Sequence, residues 1–143
     1  MDKTVGIVGL GIMGGAIARN LVERGWHVVG FDTDPAKCAE LAAEGVAIVE
    51  SVAHVARSTT LIMTSLPTPA AVESVAQAIA DSGQPQRIVI ELSTLTLADK
   101  LRFEAILKSA GHVPLDCPLS GTGAQAKMRD LIVYASEIGR AHV

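Results

Sequence analysis

Aromatic side chains are nearly missing from this chain: only 3% of its 143 residues are Phe, Trp or Tyr. A core cannot then be assembled from large rings. It must be built from Val, Ile, Leu and Ala, as suits a parallel sheet covered by helices. Cysteine is as scarce. Cys38 and Cys117 stand far apart, without the spacing of a metal site, and read as two reduced thiols of a cytoplasmic protein. No cluster of basic residues breaks the surface, and the net charge is −3, which argues against nucleic acid as the main partner. No apolar run approaches the length needed to cross a bilayer. The first strand follows Met1 so closely that no room for a signal peptide is expected. With 49% hydrophobic and 19% charged residues, what remains is a globular chain able to bury one core.

Glycine is plentiful, and its placement is informative. The apolar run Val5 to Val8 reads as a strand buried on both faces. Gly9, Gly11 and Gly14 follow with the spacing G-x-G-x-x-G, and a helical pattern continues without a break through Leu21. Gly9 permits the tight turn off the strand. Gly11 lets a pyrophosphate approach the backbone. Gly14 lets the helix pack closely on the strand. The free N–H groups at the helix start then face the phosphates. A second strand, His27 to Phe31, ends in Asp32, 18 residues after Gly14. An acid at that point can accept hydrogen bonds from both ribose hydroxyls of an adenosine and repels a 2′-phosphate. Thr33, Asp34, Pro35 and Ala36 follow it, with no cation among them. The expected cofactor is therefore NAD, held by Gly9, Leu10, Gly11, Ile12, Met13, Gly14 and Asp32, with NADP disfavoured.

Further along, helices are expected at about 13–24, 35–44, 51–57, from Pro69 to about Asp81, and from Thr96 to about Ala110. Asp34, Thr68 and Thr96 supply caps. In the fourth, Val72, Val75, Ala76 and Ile79 form a stripe at helical spacing. Arg19 is expected to face water. Short strands are expected near 46–49, 60–64, 87–92 and 112–115, with a seventh over Leu131 to Ala135. Alternation of this kind means parallel crossover units and an α/β, doubly wound, mostly parallel Rossmann sheet in a single domain. Residues 1–136 are assigned to that domain. Residues 137–143 fit neither strand nor helix; Ile138 to Val143 is what one reading frame of a common sequencing adapter would encode, so a non-native tail is expected there.

These motifs together resemble the opening of the β-hydroxyacid dehydrogenases, a family that includes 3-hydroxyisobutyrate, tartronate semialdehyde, threonate and 6-phosphogluconate dehydrogenases, with imine reductases as relatives. The likeness rests on Gly9-Leu10-Gly11-Ile12-Met13-Gly14 with Ala18, Asn20 and Leu21, on Leu66-Pro67, on Ser93-Thr94, and on Asp116-Cys117-Pro118-Leu119-Ser120-Gly121. It covers about residues 4–136. The resemblance implies an oxidoreductase that moves a hydride between a nicotinamide and a small β-hydroxy acid or its semialdehyde. It implies that Leu66, Pro67 and Thr94 line the nicotinamide side, and that Ser120, Gly121 and Gly123 offer a hydroxyl and backbone N–H groups to a substrate carboxylate. It also implies a homo-oligomeric parent protein. Asp116 is expected to brace its loop rather than to react.

Two departures stand beside the likeness. Thr122 intervenes where the family usually has a second glycine. The family's catalytic lysine belongs to a following all-helical domain, expected to be absent here, and Lys127 does not sit in that lysine's motif. No catalytic residue is assigned within these 143 residues. An imine-reductase-like enzyme and a non-catalytic dinucleotide-binding sensor are the alternatives.

Overall fold

Strands and helices alternate in the computed structural model, which describes residues 2–120 and 132–133. They are β1 (Thr4–Val8), α1 (Ile12–Glu23), β2 (His27–Phe31), α2 (Pro35–Ala43), β3 (Ala47–Ile48), α3 (Val52–Ser58), β4 (Leu61–Thr64), α4 (Pro69–Asp81), β5 (Ile88–Glu91), α5 (Leu97–Ser109) and β6 (Val113–Asp116). Helices α2 to α5 begin where short polar side chains satisfy one of their first N–H groups, whereas α1 follows Gly11 with no side-chain cap. Asp34 accepts from Ala36 N at 2.9 Å, Ser51 from His54 N at 3.0 Å, and Thr68 from Ala71 N at 3.1 Å. Thr96 accepts from Asp99 N at 3.2 Å while its hydroxyl donates to the Asp99 carboxylate.

Six strands form one parallel sheet in the order β3-β2-β1-β4-β5-β6. Side chains alternate between its faces and bury two aliphatic layers. Val8, Val29, Ile62 and Val89 pack with Val55 of α3, the Val72, Val75, Ala76 and Ile79 stripe of α4, and Phe103 and Leu107 of α5. On the other face Val5, Ile7 and Val28 pack with Ala18 of α1 and Leu41 of α2. The strand order reverses between β1 and β4, and a crevice opens there at the carboxyl ends. No helix among the described residues is long and apolar enough to cross a membrane.

Two expectations need correction. Arg19 is not simply solvated: its guanidinium bonds Glu40 at 2.7 Å and approaches Glu44 at 3.4 Å, tying α1 to α2. The run expected as a seventh strand, Leu131 to Ala135, is described only at residues 132 and 133, and these lie outside the six-stranded sheet. Its described part, β8 (Ile132–Val133), pairs antiparallel with β7 (Leu119–Ser120) in a separate two-stranded ladder. Two-residue strands carry no periodicity from which they could be read.

The amino ends of β5 and β6 are joined by a buried polar knot. Arg87 N donates to His112 Nδ1 at 2.9 Å, and Arg87 Nε donates to the Ala56 carbonyl at the last turn of α3 at 2.7 Å. Burial, with the Arg87 charge beside it, holds the His112 imidazole below its ordinary value of 6.5. The folded chain thus takes up this proton less readily than the unfolded chain. The stabilisation is complete above the unfolded value and is lost as pH falls through the folded one. Thermal melts between about pH 8 and about pH 5 should show a loss of stability on acidification that a His112→Gln chain shows less steeply. Parallel pH profiles for the two chains would refute this.

Candidate dinucleotide site

The loop from β1 to α1 crosses the carboxyl end of the sheet with its backbone pressed against its neighbours. Gly9 has φ 96° and donates its N–H to Phe31 O at 3.0 Å. A β-carbon on Gly9 would lie 2.0 Å from Ser65 O, and one on Gly14 would lie 1.9 Å from Gly9 O. Gly11 differs. A β-carbon there would meet only Lys37 Nζ, at 3.8 Å, so the space over Gly11 is open. That opening belongs to a cleft of about 610 Å³, within the roughly 300–1,000 Å³ range of cofactor sites.

Gly9, Gly11, Ile12, Met13, Asp32, Leu66 and Pro67 all line this cleft. The sheet order dictates the arrangement. Asp32 follows β2 and Leu66–Pro67 follows β4, so they stand on opposite sides of the glycine loop after β1. Leu10 turns inward and is 2% exposed; Gly14 is buried where α1 meets the loop. Thr94 is exposed and is not part of the cleft wall. Ser120 lies in β7, and Gly121, Gly123 and Lys127 fall outside the described residues.

The Asp32 carboxylate also has a structural task. One oxygen accepts from Leu10 N at 2.8 Å and the other from Asp34 N at 2.8 Å. The acid therefore braces the glycine loop while facing the cleft, and each oxygen keeps a lone pair for a ligand hydroxyl.

Inspection of the positions directly after Asp32 misses Lys37. It stands in the first turn of α2 and reaches back to the cleft, because helical side chains lean toward the amino terminus. A cation one turn into the helix after the acid is the signal that would have found it. Ser74 and Val75 of α4 also line the cleft. Val75 belongs to the stripe that reads as core and Ser74 is exposed beside it, so only the packing of α4 beside the crevice reveals this second use.

Behind Leu66–Pro67 lies a second group that the sequence reading did not assemble. Glu91, at the end of β5, is 0% exposed. Its two oxygens accept from Thr64 Oγ1 and from Ser93 N. Burial raises the Glu91 carboxyl above its ordinary value of 4.5, against the opposing pull of its hydrogen bonds from Ser93 and Thr64. Ser93 Oγ accepts from Leu66 N at 2.8 Å, and Ser93 O accepts from Lys100 Nζ at 2.6 Å. Lys100, also buried, pairs with Asp116 at the end of β6, which gives Asp116 the bracing role expected of it. The sequence signal was an acid inside an apolar strand, and a lysine in register with Phe103 and Leu107 on the inner face of α5.

Comparison with known proteins agrees with this geometry. Residues 4–140 match the family model of the NAD binding domain of 6-phosphogluconate dehydrogenase. A Dictyostelium discoideum protein described as "Probable 3-hydroxyisobutyrate dehydrogenase, mitochondrial" is 35% identical over 141 residues, covering 95% of this chain and 44% of that protein. The solved Mycobacterium tuberculosis 3-hydroxyisobutyrate dehydrogenase with L-serine superposes with a TM-score of 0.91 at 31% identity, over 95% of this chain and 47% of that one. An imine reductase from Pseudomonas sp. gives a TM-score of 0.81 at 20% identity, covering 87% of this chain and 44% of that one, and shares the fold. The chain thus spans somewhat under half the length of these relatives.

Proposed function

This chain belongs to the family of the NAD binding domain of 6-phosphogluconate dehydrogenase, and we propose that it is the cofactor-holding part of an oxidoreductase acting on a small β-hydroxy acid or its semialdehyde. The observation that carries the reading is the open space over Gly11, between Asp32 on one side and Leu66–Pro67 on the other. A pyrophosphate over that opening would receive the first N–H groups of α1, which have no carbonyl one turn earlier to donate to. The adenosine ribose is proposed to lie at Asp32 and the nicotinamide at Leu66–Pro67, a reading supported by their positions on either side of the strand-order reversal. NAD would supply the two-electron acceptor, and Gly11, Asp32, Leu66 and Pro67 are the residues that would bind and orient it.

The relatives named as 3-hydroxyisobutyrate dehydrogenases support a hydroxy acid as substrate. Ser120, Gly121 and Gly123 are proposed to receive its carboxylate. The general acid/base is proposed to come from the half of the relatives that this chain does not match, as the resemblance implies. A homo-oligomeric parent in the cytoplasm completes the reading, with Cys38 and Cys117 expected as reduced thiols.

NAD is proposed over NADP because the Asp32 carboxylate opposes a 2′-phosphate. Lys37 works in the other direction, since its ammonium lines the same cleft. Calorimetric titration of both cofactors tests the balance. NAD should bind about tenfold or more tightly than NADP. Asp32→Ala should narrow that ratio while weakening NAD itself, because the brace on Leu10 is lost with the charge. Tighter NADP binding by the unaltered chain would overturn the preference. The dehydrogenase reading has its own test. Addition of a family helical domain should bring NAD-dependent oxidation of 3-hydroxyisobutyrate or a similar acid to a chain that has negligible turnover without it.

A further inference from the structure

Ser93 is a junction. Its amide donates to Glu91, its hydroxyl oxygen accepts from Leu66 N, and its carbonyl accepts from Lys100. None of the three partners is a helix or strand neighbour in the ordinary ladder. The contacts run from Thr64 at the end of β4, through Glu91 at the end of β5, to Lys100 on α5 and Asp116 at the end of β6. They meet at the backbone of Leu66, the residue that forms the cleft wall on the side opposite Asp32. Glu91 is fully buried and does not line the cleft, so whatever it does for a ligand it does through Ser93.

We propose that Glu91 is a positioning residue for the nicotinamide half of the cofactor: through Ser93 it holds the Leu66–Pro67 wall in place, while the glycine loop and Asp32 hold the adenosine half. The proposal rests on the dinucleotide reading above and adds a division of labour within it. Each half of the cleft has its own buried or half-buried carboxylate aimed at backbone N–H groups. Asp32 bonds Leu10 N and Asp34 N on the adenosine side, and Glu91 bonds Ser93 N behind the other side. Removing a carboxylate that only stiffens the domain would weaken every ligand alike. Removing one that sets a single wall weakens only ligands that touch that wall.

The test compares NAD with ADP-ribose, which keeps both phosphates and both riboses and lacks only the nicotinamide, by calorimetry on the 143-residue chain. The unaltered chain should bind NAD more tightly than ADP-ribose. Glu91→Ala should cost NAD about tenfold in affinity, the scale of one lost hydrogen-bonded brace, and leave ADP-ribose within about twofold. Glu91→Gln keeps an acceptor for Ser93 N and a partner for Thr64, and should restore NAD binding. Where Glu91→Ala does not fold, Ser93→Ala decides, since it deletes only the hydroxyl that meets Leu66 N and should show the same selective loss. Equal losses for both ligands in Ser93→Ala, no loss for either, or equal binding of NAD and ADP-ribose by the unaltered chain would overturn the positioning role alone. Failure of ADP-ribose to bind at all would overturn the dinucleotide reading and this proposal with it.

Discussion

A Gly11→Val chain is expected to fold and to lose NAD binding by more than about 100-fold. Gly11 sits at the N-cap of α1 with φ −70°, a backbone any residue adopts. A β-carbon there meets no backbone, only the end of Lys37 at 3.8 Å. The fold should lose about 1 kcal/mol, the ordinary cost of an apolar residue at an N-cap. The ligand loses far more. The valine side chain fills the space in which the pyrophosphate must sit to reach the first N–H groups of α1. Charge-assisted hydrogen bonds are worth roughly 1.5–3 kcal/mol each, so losing two exceeds about 100-fold in affinity. Circular dichroism melts and calorimetry on the same sample separate the two effects. A folded Gly11→Val chain that binds NAD normally would show that the phosphates do not cross Gly11, and the site assignment would fall.

How much of this was legible beforehand depends on the length scale of each feature. Parallel strands buried on both faces, such as Val5 to Val8, leave continuous apolar runs and the α4 stripe leaves a helical period, and the parallel, helix-covered sheet they predict is observed in β1 to β6. The glycine spacing and Asp32 are local to one crossover unit, so one stretch of chain places them together. Lys37 escaped because its reach depends on the lean of a helical side chain, not on adjacency to Asp32. Thr94 was expected beside Leu66 and Pro67 at the cleft, yet its neighbour Ser93 is the one that bonds Leu66 N, while Thr94 faces outward. Adjacent residues after a strand diverge, and the inward partner of the Ser93 hydroxyl is Leu66 N, 27 residues away in sequence. The Glu91 network was illegible for the same reason. It joins β4, β5, α5 and β6, and only the folded sheet makes them neighbours.

Gly14→Ala should destabilise the chain by more than about 3 kcal/mol, or prevent folding, although helix propensity alone argues the opposite. Gly14 lies inside α1, where replacing glycine with alanine ordinarily gains up to about 1 kcal/mol. Here the added methyl would stand 1.9 Å from Gly9 O and 3.0 Å from Gly9 C. Those atoms cannot swing away as a side-chain tip can. Gly9 is itself pinned, with its N–H on Phe31 O and its α-carbon facing Ser65 O so closely that a β-carbon would lie 2.0 Å from it. Relief requires α1 to lift from the end of β1, and that opens the layer in which Ala18 packs with Val5, Ile7 and Leu41. The loss should appear as a lower urea midpoint with an unchanged slope. It should also remove NAD binding, but only in proportion to the unfolded fraction and to the displacement of α1. Gly11→Val removes binding from a folded chain. A Gly14→Ala chain as stable as the unaltered one would mean that α1 and the glycine loop are not in backbone contact, and the close packing assigned to that glycine would be wrong.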